Sequence, residues 1–416
     1  MHRIQELSAK AVEQVAGGKT LTEALAAQLG RNPGLSAQER GAIQDIGYGV
    51  MRHWAELKNT LRQLVPNTLP LPLLEHVLVV ALYQLYYSRA AEYAVVNEAV
   101  TLASQMAQGR YKGLVNGVLR NALRQREALA QRVAADEEAH LNHPQWWINS
   151  LRQAYPEAWS SIIEADNAHP PMTLRLNRRL SNSQDYLERL QAAGMSAEIL
   201  DAQALMLLQP VPVRELPGFA DGLVSVQDWG AQQAAHRLDL HDGQRVLDAC
   251  AAPGGKTCHM LEIADLDLTA LDIDESRLGR VRENLDRLHL AAALRVGDAA
   301  QPENWWDGQA YDRILADVPC SATGVVRRHP DIRWLRRPGD FKTLARQQSL
   351  LVDALWPLLA SGGKMLYATC SIYPEENQKQ LTTFLAGRND AICLNQEQLL
   401  PTERHDGFYY ALIEKR

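Results

Sequence analysis

The spacing of apolar residues divides the chain into three stretches. Up to about residue 140, apolar side chains recur every three or four positions, as in Tyr93–Ala103 and Leu114–Leu123, which is the period of amphipathic helices. The most apolar run, Leu71–Tyr87, is too short and too often interrupted by polar residues to cross a bilayer, so it predicts a buried helix. We therefore predict an all-α first domain over residues 1–140.

The second stretch, residues 141–235, has a different texture. Prolines and tryptophans become frequent, and short alternating runs such as Thr173–Asn177 and Gly222–Asp228 are typical of strands. This pattern predicts a small α+β connector.

From residue 236 to 416, apolar strands alternate with amphipathic helices. Strand patterns lie at 245–248, 268–272, 313–317 and 364–368, and helical patterns lie at 275–288 and 342–359, the latter ended by Ser361-Gly362-Gly363. Such alternation predicts a mostly parallel sheet with helices on both faces, a Rossmann-like α/β domain.

Composition and charge narrow the class of protein. The chain is 46% hydrophobic and 22% charged with a net charge of −6, which is typical of a soluble protein and argues against indiscriminate binding to nucleic acid. The N-terminus lacks an apolar signal segment, and five cysteines without a Cys-x-x-Cys pair fit neither a disulfide framework nor a zinc site. We expect a cytoplasmic protein without a metal or a membrane anchor, and we expect a monomer.

A turn rich in small residues follows the first strand of the α/β domain. It comprises Cys250, Ala251, Ala252, Pro253, Gly254, Gly255 and Lys256. Small residues let the backbone approach a ligand, and the helix that begins near Lys256 offers free N–H groups. Asp272 ends the next strand, where a carboxylate can bind ribose hydroxyls, and Asp298 follows the third strand, where it can accept a hydrogen bond from an adenine amino group.

Three other interpretations of this turn are weaker. A phosphate-binding loop requires glycine where Cys250 stands, and no Gly-x-Gly-x-x-Gly dinucleotide motif is present. A tight turn without a ligand does not account for the acids at two following strand ends. S-adenosylmethionine suits the features better than NAD, because a sulfonium cofactor needs no pyrophosphate cradle.

Two cysteines follow the ends of two consecutive strands. Asp317 and Cys320 come after one strand and Cys370 after the next, with a single helix between them. A right-handed crossover makes such strands neighbours, so both thiols should face one crevice. Cys250, Cys258 and Cys393 are better explained as core residues, since lone cysteines are usually buried.

The paired thiols predict methylation of cytosine at carbon 5. Carbon 5 is a weak nucleophile until a thiolate adds at carbon 6 and makes it enamine-like. A carboxyl group such as Asp317 can hold the N3 edge, and Lys256 is a candidate for helping a thiol to ionise. The pattern alone leaves open which cysteine attacks.

A basic stretch follows Cys320 directly. It contains one tryptophan and the arginines Arg327, Arg328, Arg333, Arg336 and Arg337, a mixture typical of phosphate contact with base stacking. Arg120 and Arg124 belong to a looser basic group in the helical domain. A solvated basic loop is the alternative in both places, but we expect these arginines to contact RNA.

These motifs resemble the RNA cytosine-5 methyltransferase family. The matching pieces are Cys250–Thr257, Leu271–Asp274, Asp317–Gly324, Thr369–Ser371 and Pro374–Asn377. Tyr93–Arg124 is similar to the RNA-binding domain of the antitermination factor NusB. The fusion of the two resembles the bacterial RsmB-type family, which methylates small-subunit ribosomal RNA.

The resemblance implies a role for each site residue. It makes Cys370 the thiol that attacks carbon 6, Cys320 the cysteine that assists release of the methylated RNA, and Asp317 a contact to the target base and the cofactor. Val318 stands where the family commonly has Ala, and Ala322 where many members have Gly. The alternatives are a non-catalytic ribosome-assembly factor that only binds RNA, or the same chemistry on tRNA or DNA.

Overall fold

The computed structural model describes residues 2–416. The helices are α1 (His2–Ala16), α2 (Leu21–Gly30), α3 (Ala37–Arg52), α4 (Trp54–Leu64), α5 (Pro72–Tyr87), α6 (Glu92–Gln105), α7 (Lys112–Arg124), α8 (Arg126–Ala134), α9 (Glu137–Leu141), α10 (Gln145–Ala154), α11 (Trp159–Asn167), α12 (Ser183–Ala192), α13 (Trp229–Arg237), α14 (Gly255–Ile263), α15 (Glu275–Leu288), α16 (Ile332–Leu335), α17 (Asp340–Leu355) and α18 (Gln378–Ala386). The strands are β1 (Met172–Leu176), β2 (Ala197–Asp201), β3 (Ala204–Leu207), β4 (Val224–Val226), β5 (Arg245–Asp248), β6 (Asp267–Asp272), β7 (Ala293–Val296), β8 (Tyr311–Asp317), β9 (Leu359–Thr369), β10 (Ala391–Leu399) and β11 (Phe408–Lys415).

The first structural unit is helical, as predicted. It contains α1–α11 and also the segment Val326–Arg336, which returns to it from much later in the chain. Helix α5 is buried along most of its length in a core shared with α1, α3 and α6, which confirms the prediction for the apolar run. None of the helices within residues 2–416 is long and apolar enough to cross a bilayer.

The inserted segment Val326–Arg336 is a built-in part of this helical unit. The Leu21 N–H, at the start of α2, donates to Asp331 Oδ2 over 2.9 Å, and the Trp334 indole donates to the Met51 carbonyl over 2.8 Å. Arg52 donates to the carbonyl of Arg327 over 2.8 Å. The segment therefore satisfies backbone groups of helices that lie far from it in sequence.

Two of the arginines expected to contact RNA lie inside this unit instead. Arg327 is 1% exposed and Arg333 is fully buried. The Arg333 guanidinium donates to the carbonyls of Asn142 and Asp166 over 2.9 and 2.8 Å. Both side chains are thus buried within the helical unit rather than presented on its surface, and the donors of Arg333 serve the interior of that unit.

The second unit begins at Ala168 and contains two sheets. The smaller sheet is antiparallel, with strand order β2-β3-β1-β4, and it packs with α12 around Leu174, Leu176, Tyr186 and Leu190. This is the predicted α+β connector. Its sheet is confined to residues 172–226, since residues 145–167 form α10 and α11 of the helical unit.

The larger sheet has seven strands in the order β10-β11-β9-β8-β5-β6-β7. Strands β5 to β9 pair in parallel, while β10 and β11 add antiparallel strands at one edge. Separate apolar cores cover the two faces. The chain order reverses between β5 and β8, and ligands of such sheets bind at the carboxyl ends of the strands beside this reversal.

One predicted boundary in this sheet is wrong. Helix α17 ends at Leu355, and β9 already begins at Leu359 with Gly362 and Gly363 inside it. Gly362 has a φ of 75°, and the pairing with β8 shifts register there. The glycines thus form an irregularity in a strand rather than the end of a helix.

Candidate active site

The turn after β5 is held by its neighbouring strands. The Ala249 N–H donates to the Leu315 carbonyl over 3.0 Å, and the Ala251 N–H donates to the Leu271 carbonyl over 2.9 Å. Gly254 has a φ of 96°, and a Cβ there would lie 3.0 Å from the Cα of Val281. The turn therefore approaches helix α15 as closely as only glycine allows, directly before α14 begins.

Acidic side chains line this turn. Asp272 is 4% exposed, and its Oδ2 accepts from the Ala252 N–H over 3.1 Å. Asp298 follows β7 and accepts from the Ala300 N–H over 2.9 Å. The structure thus places Asp272 at the end of β6, the neighbour of β5, and Asp298 two residues after β7, which pairs with β6.

Asp248, the last residue of β5, is a buried acid whose environment the sequence did not indicate. Its Oδ2 accepts from the Thr257 hydroxyl over 2.6 Å, while its Oδ1 has no hydrogen-bond partner. Burial raises the pKa of Asp248 to about 7, and the nearby charge of Asp317 acts in the same direction.

Lys256 and Asp317 form an ion pair at the centre of the site. The Lys256 Nζ lies 2.5 Å from Asp317 Oδ2, and the two side chains are 14% and 27% exposed. Burial alone would lower the pKa of Lys256, but the ion pair with Asp317 and the charges of Cys370 and Asp248 together raise it by more. Lys256 therefore stays a cation near the Cys370 sulfur.

The two predicted cysteines meet. The Sγ atoms of Cys320 and Cys370 are 3.3 Å apart, after the ends of the paired parallel strands β8 and β9. The structure therefore brings the two thiols into contact at the ends of neighbouring strands. The hydrogen bond with Cys370 and burial raise the pKa of Cys320 well above its ordinary value, so Cys320 remains a neutral thiol that can donate to Cys370.

The loop that carries Cys320 has a tightly constrained backbone. Ala322 has a φ of 60°, in the left-handed region that glycine occupies at the lowest cost, which explains why glycine suits this position. The Gly324 N–H donates to the Cys370 carbonyl over 2.8 Å. A Cβ on Gly324 would lie 2.2 Å from the Gly407 carbonyl oxygen, so the loop has room only for glycine there.

A buried polar network under the two cysteines was not predicted. Glu376 is fully buried and accepts hydrogen bonds from Ser321, Ser371 and Gln348. Its sequence signal was the Pro374–Asn377 motif, which carried a resemblance but no assigned role. Buried carboxylates with a full set of donors fix the geometry around them.

The other three cysteines lie outside the thiol pair. Cys258 is buried, and burial raises its pKa to about 12. Burial likewise raises the pKa values of Cys250, in the turn after β5, and of Cys393, on β10. These raised values disfavour thiolates at all three positions.

The remaining predicted RNA-contacting arginines have mixed environments. Arg120 and Arg124 are exposed on α7 of the helical unit. Arg328 and Arg336 are half-buried in the inserted segment, and Arg337, in the second unit, is exposed.

Known proteins match each part of the chain. The family described as 16S rRNA methyltransferase RsmB/F matches residues 235–414, the RsmF/B-like ferredoxin-like domain matches 143–214, and the NusB family matches 2–124. The ferredoxin-like match begins within the helical unit and covers β1, β2 and β3 of the connector sheet, and the NusB match lies within the helical unit. The predicted fold class is confirmed.

Relatives of similar length are also similar to this chain in sequence. Ribosomal RNA small subunit methyltransferase B of Yersinia enterocolitica is 43% identical over 429 residues, covering 100% of this chain and 99% of the relative. The Serratia proteamaculans protein of the same name is 46% identical over 394 residues, covering 92% of each. The crystal structure of a methyltransferase homolog protein from Pyrococcus horikoshii has a TM-score of 0.60 and 26% identity, covering 68% of this chain and 98% of that one. The chain belongs to the ribosomal RNA small subunit methyltransferase B family.

Proposed function

We propose that this protein methylates carbon 5 of a cytidine in small-subunit (16S) ribosomal RNA through a covalent bond between Cys370 and carbon 6. The observation that carries the proposal is the 3.3 Å approach of the Cys320 and Cys370 sulfurs at the carboxyl ends of β8 and β9. A protein that only bound RNA would need no pair of thiols in this crevice. The names of its relatives support ribosomal RNA as the substrate.

The cofactor is S-adenosylmethionine, which supplies an electrophilic methyl group when bound. The turn from Cys250 to Lys256 fits it, because Gly254 keeps the backbone close to α15 and the first N–H groups of α14 follow immediately. We assign Asp272 to the ribose hydroxyls and Asp298 to the adenine amino group. Asp317 lines the methionine end of this pocket, beside Lys256.

The chemistry begins with the Cys370 thiolate. Its sulfur forms a bond to carbon 6, and the displaced electron pair moves through carbon 5 toward N3, on the edge of the base where the Asp317 carboxylate can accept a hydrogen bond from the exocyclic amine. Lys256 favours the thiolate, since a nearby cation stabilises negative charge on sulfur. The raised pKa of Cys320 disfavours Cys320 as the attacking thiolate.

Release of the methylated RNA requires the bond between the Cys370 sulfur and carbon 6 to break. Carbon 5 of the adduct would take the methyl group from the sulfonium, which would leave as the neutral thioether. A base would then remove the carbon 5 proton, and the electron pair of that bond would re-form the carbon 5–carbon 6 double bond and expel the Cys370 sulfur. Cys320, in contact with that sulfur, is placed to assist this departure by donating its S–H to the leaving thiolate.

RNA recognition is assigned to exposed basic residues. Arg120 and Arg124 on α7 and Arg337 in the second unit are candidates for phosphate contacts, since exposed guanidinium groups bind phosphate well. We expect the enzyme to act as a monomer in the cytoplasm, where its substrate is made.

Methyl transfer from radiolabelled S-adenosylmethionine tests the proposal. Unmodified small-subunit ribosomal RNA, tRNA and DNA are compared, with wild type and Cys370→Ala. Label in ribosomal 5-methylcytosine that the variant loses supports it. Label in tRNA or DNA instead would move the same chemistry to another substrate. If none of these nucleic acids is labelled, and assembling small-subunit particles added as a further substrate are not labelled either, the result favours an RNA-binding assembly factor.

A further inference from the structure

One buried carboxylate connects the two segments that carry the cysteines. Ser321 follows Cys320 and Ser371 follows Cys370, and their hydroxyls donate to Glu376 Oε2 over 2.5 and 2.6 Å. The Ser321 N–H also donates to Glu376 Oε1 over 2.8 Å. A single side chain thus holds the residues directly after both thiols.

A second polar residue supports the same carboxylate from the other side of Cys320. The Gln348 amide donates to Glu376 Oε1 and to the carbonyl of Pro319, each over 3.0 Å. Each Glu376 oxygen therefore accepts two hydrogen bonds, the arrangement that an ionised carboxylate satisfies as an acceptor. Because Glu376 is fully buried, no water competes with these bonds.

We propose that Glu376 is a positioning residue that sets the separation of the Cys320 and Cys370 sulfurs before RNA binds. It acts through Ser321 and Ser371, and the sulfurs are the reacting atoms. Its importance for methyl transfer rests on the proposed function, in which both thiols must reach one cytosine ring. The charge of Glu376 also adds to the factors that raise the pKa of Cys320 and keep it a neutral thiol.

Two substitutions of Glu376 separate the effect of its side-chain length from the effect of its charge. Glu376→Asp keeps the carboxylate but removes one C–C bond of roughly 1.5 Å, so the group cannot reach Ser321 and Ser371 together. Glu376→Gln keeps the length and removes the charge. Glu375→Gln is the matched control, because Glu375 is exposed and pairs with Lys379 over 2.6 Å.

The closing experiment measures how readily the two sulfurs join in the absence of RNA and cofactor. Diamide takes up the two thiol hydrogens as the Cys320–Cys370 disulfide forms, and mass spectrometry of the linked peptides gives the rate. We expect Glu375→Gln to react like wild type. Glu376→Asp should react at about one tenth of the wild-type rate or slower, because small displacements cost large factors in rate. In urea all the proteins should react alike.

Equal rates in native Glu376→Asp and wild type would overturn the proposal. A change in Glu376→Gln alone would instead show that Glu376 acts only through its charge. If Glu376→Asp does not fold, as judged by circular dichroism, Ser371→Ala takes its place, since it removes one bond to the carboxylate. A wild-type rate in Ser371→Ala would then refute the positioning role.

Methyl transfer by the same variants distinguishes this inference from the proposed function. Slower disulfide formation with a lower kcat and an unchanged KM for S-adenosylmethionine supports both. Slower disulfide formation while wild type methylates no RNA leaves Glu376 a positioning residue and removes the proposed function. An unchanged disulfide rate in Glu376→Asp, with a wild type that methylates ribosomal RNA, removes the positioning role and keeps the proposed function.

Discussion

A buried ion pair beside the turn after β5 allows a test of how much paired charges contribute to the stability of α14. Arg175 on β1 and Glu262 on α14 are each 1% exposed, and the guanidinium bonds both carboxylate oxygens over 3.0 and 2.7 Å. Its third nitrogen donates to Gln227 Oε1 and to the carbonyl of Gly255, each over 2.6 Å. Arg175 therefore links the connector sheet to the first residue of α14.

The substitution Glu262→Gln leaves the Arg175 charge buried without a counter-charge. Removing one partner of a buried pair costs about 3–5 kcal/mol. Burial raises the pKa of Glu262 by more than Arg175 lowers it, so the pair does not fully offset its own desolvation. Replacing both residues, as Arg175→Met with Glu262→Leu, should therefore recover much of the loss, to within about 2 kcal/mol of wild type.

Native-state hydrogen exchange of the α14 peptides is the appropriate assay, since a chain with several domains does not unfold in two states. We expect Glu262→Gln to lower the opening free energy of α14 by the amount above. Glu283→Gln, on the exposed face of α15, serves as the control and should change it by less than about 0.5 kcal/mol. Unchanged exchange in Glu262→Gln, or a double variant as unstable as the single one, would refute the reasoning.

Four further outcomes follow from the structure. Cys320→Ala should accumulate a covalent protein–RNA species on denaturing gels, and its absence under turnover would contradict the release role. Asp248→Asn should raise the opening free energy of β5 at pH 8 by on the order of 4 kcal/mol relative to wild type, as measured by native-state hydrogen exchange. The pKa of Asp248 in the folded protein is raised to about 7, so the stability that its neutral form contributes is fully present below pH 4 and is lost as the pH rises through 7. A difference between the variant and wild type that stays the same at every pH would contradict this. Arg333→Met should destabilise the helical unit by about 3 kcal/mol, because Arg333 is buried. Arg120→Ala should weaken RNA binding without changing the melting temperature, because Arg120 is exposed. The reverse pattern would restore Arg333 as an RNA contact. Ala322→Gly should raise the opening free energy of the 318–326 loop by up to about 1 kcal/mol in native-state hydrogen exchange, and a loss would argue against strain at this φ.

The α/β domain and its thiol pair could be predicted because each depends on local pattern and a general rule. Apolar strands alternate with amphipathic helices, and the right-handed crossover between β8 and β9 brings Cys320 to Cys370. The small residues of the turn also imply close backbone approach, which Gly254 shows.

The inserted segment could not be predicted, because its environment depends on partners distant in sequence. A run of arginines beside a tryptophan is typical of a basic surface. Arg333 is nevertheless buried, because the carbonyls of Asn142 and Asp166, more than 160 positions earlier, accept hydrogen bonds from its guanidinium. Glu376 was missed for the same reason, since its donor Ser321 lies 55 positions away.

The measurement that tests the central claim most directly uses small-subunit ribosomal RNA containing 5-fluorocytidine. Fluorine leaves no carbon 5 proton for a base to remove, so the adduct cannot resolve after methylation. We predict an RNA–protein adduct that survives denaturation, maps to the Cys370 peptide, forms in Cys320→Ala and is absent in Cys370→Ala. An adduct on Cys320, or none with RNA that the enzyme methylates in its unfluorinated form, would contradict the assignment of Cys370.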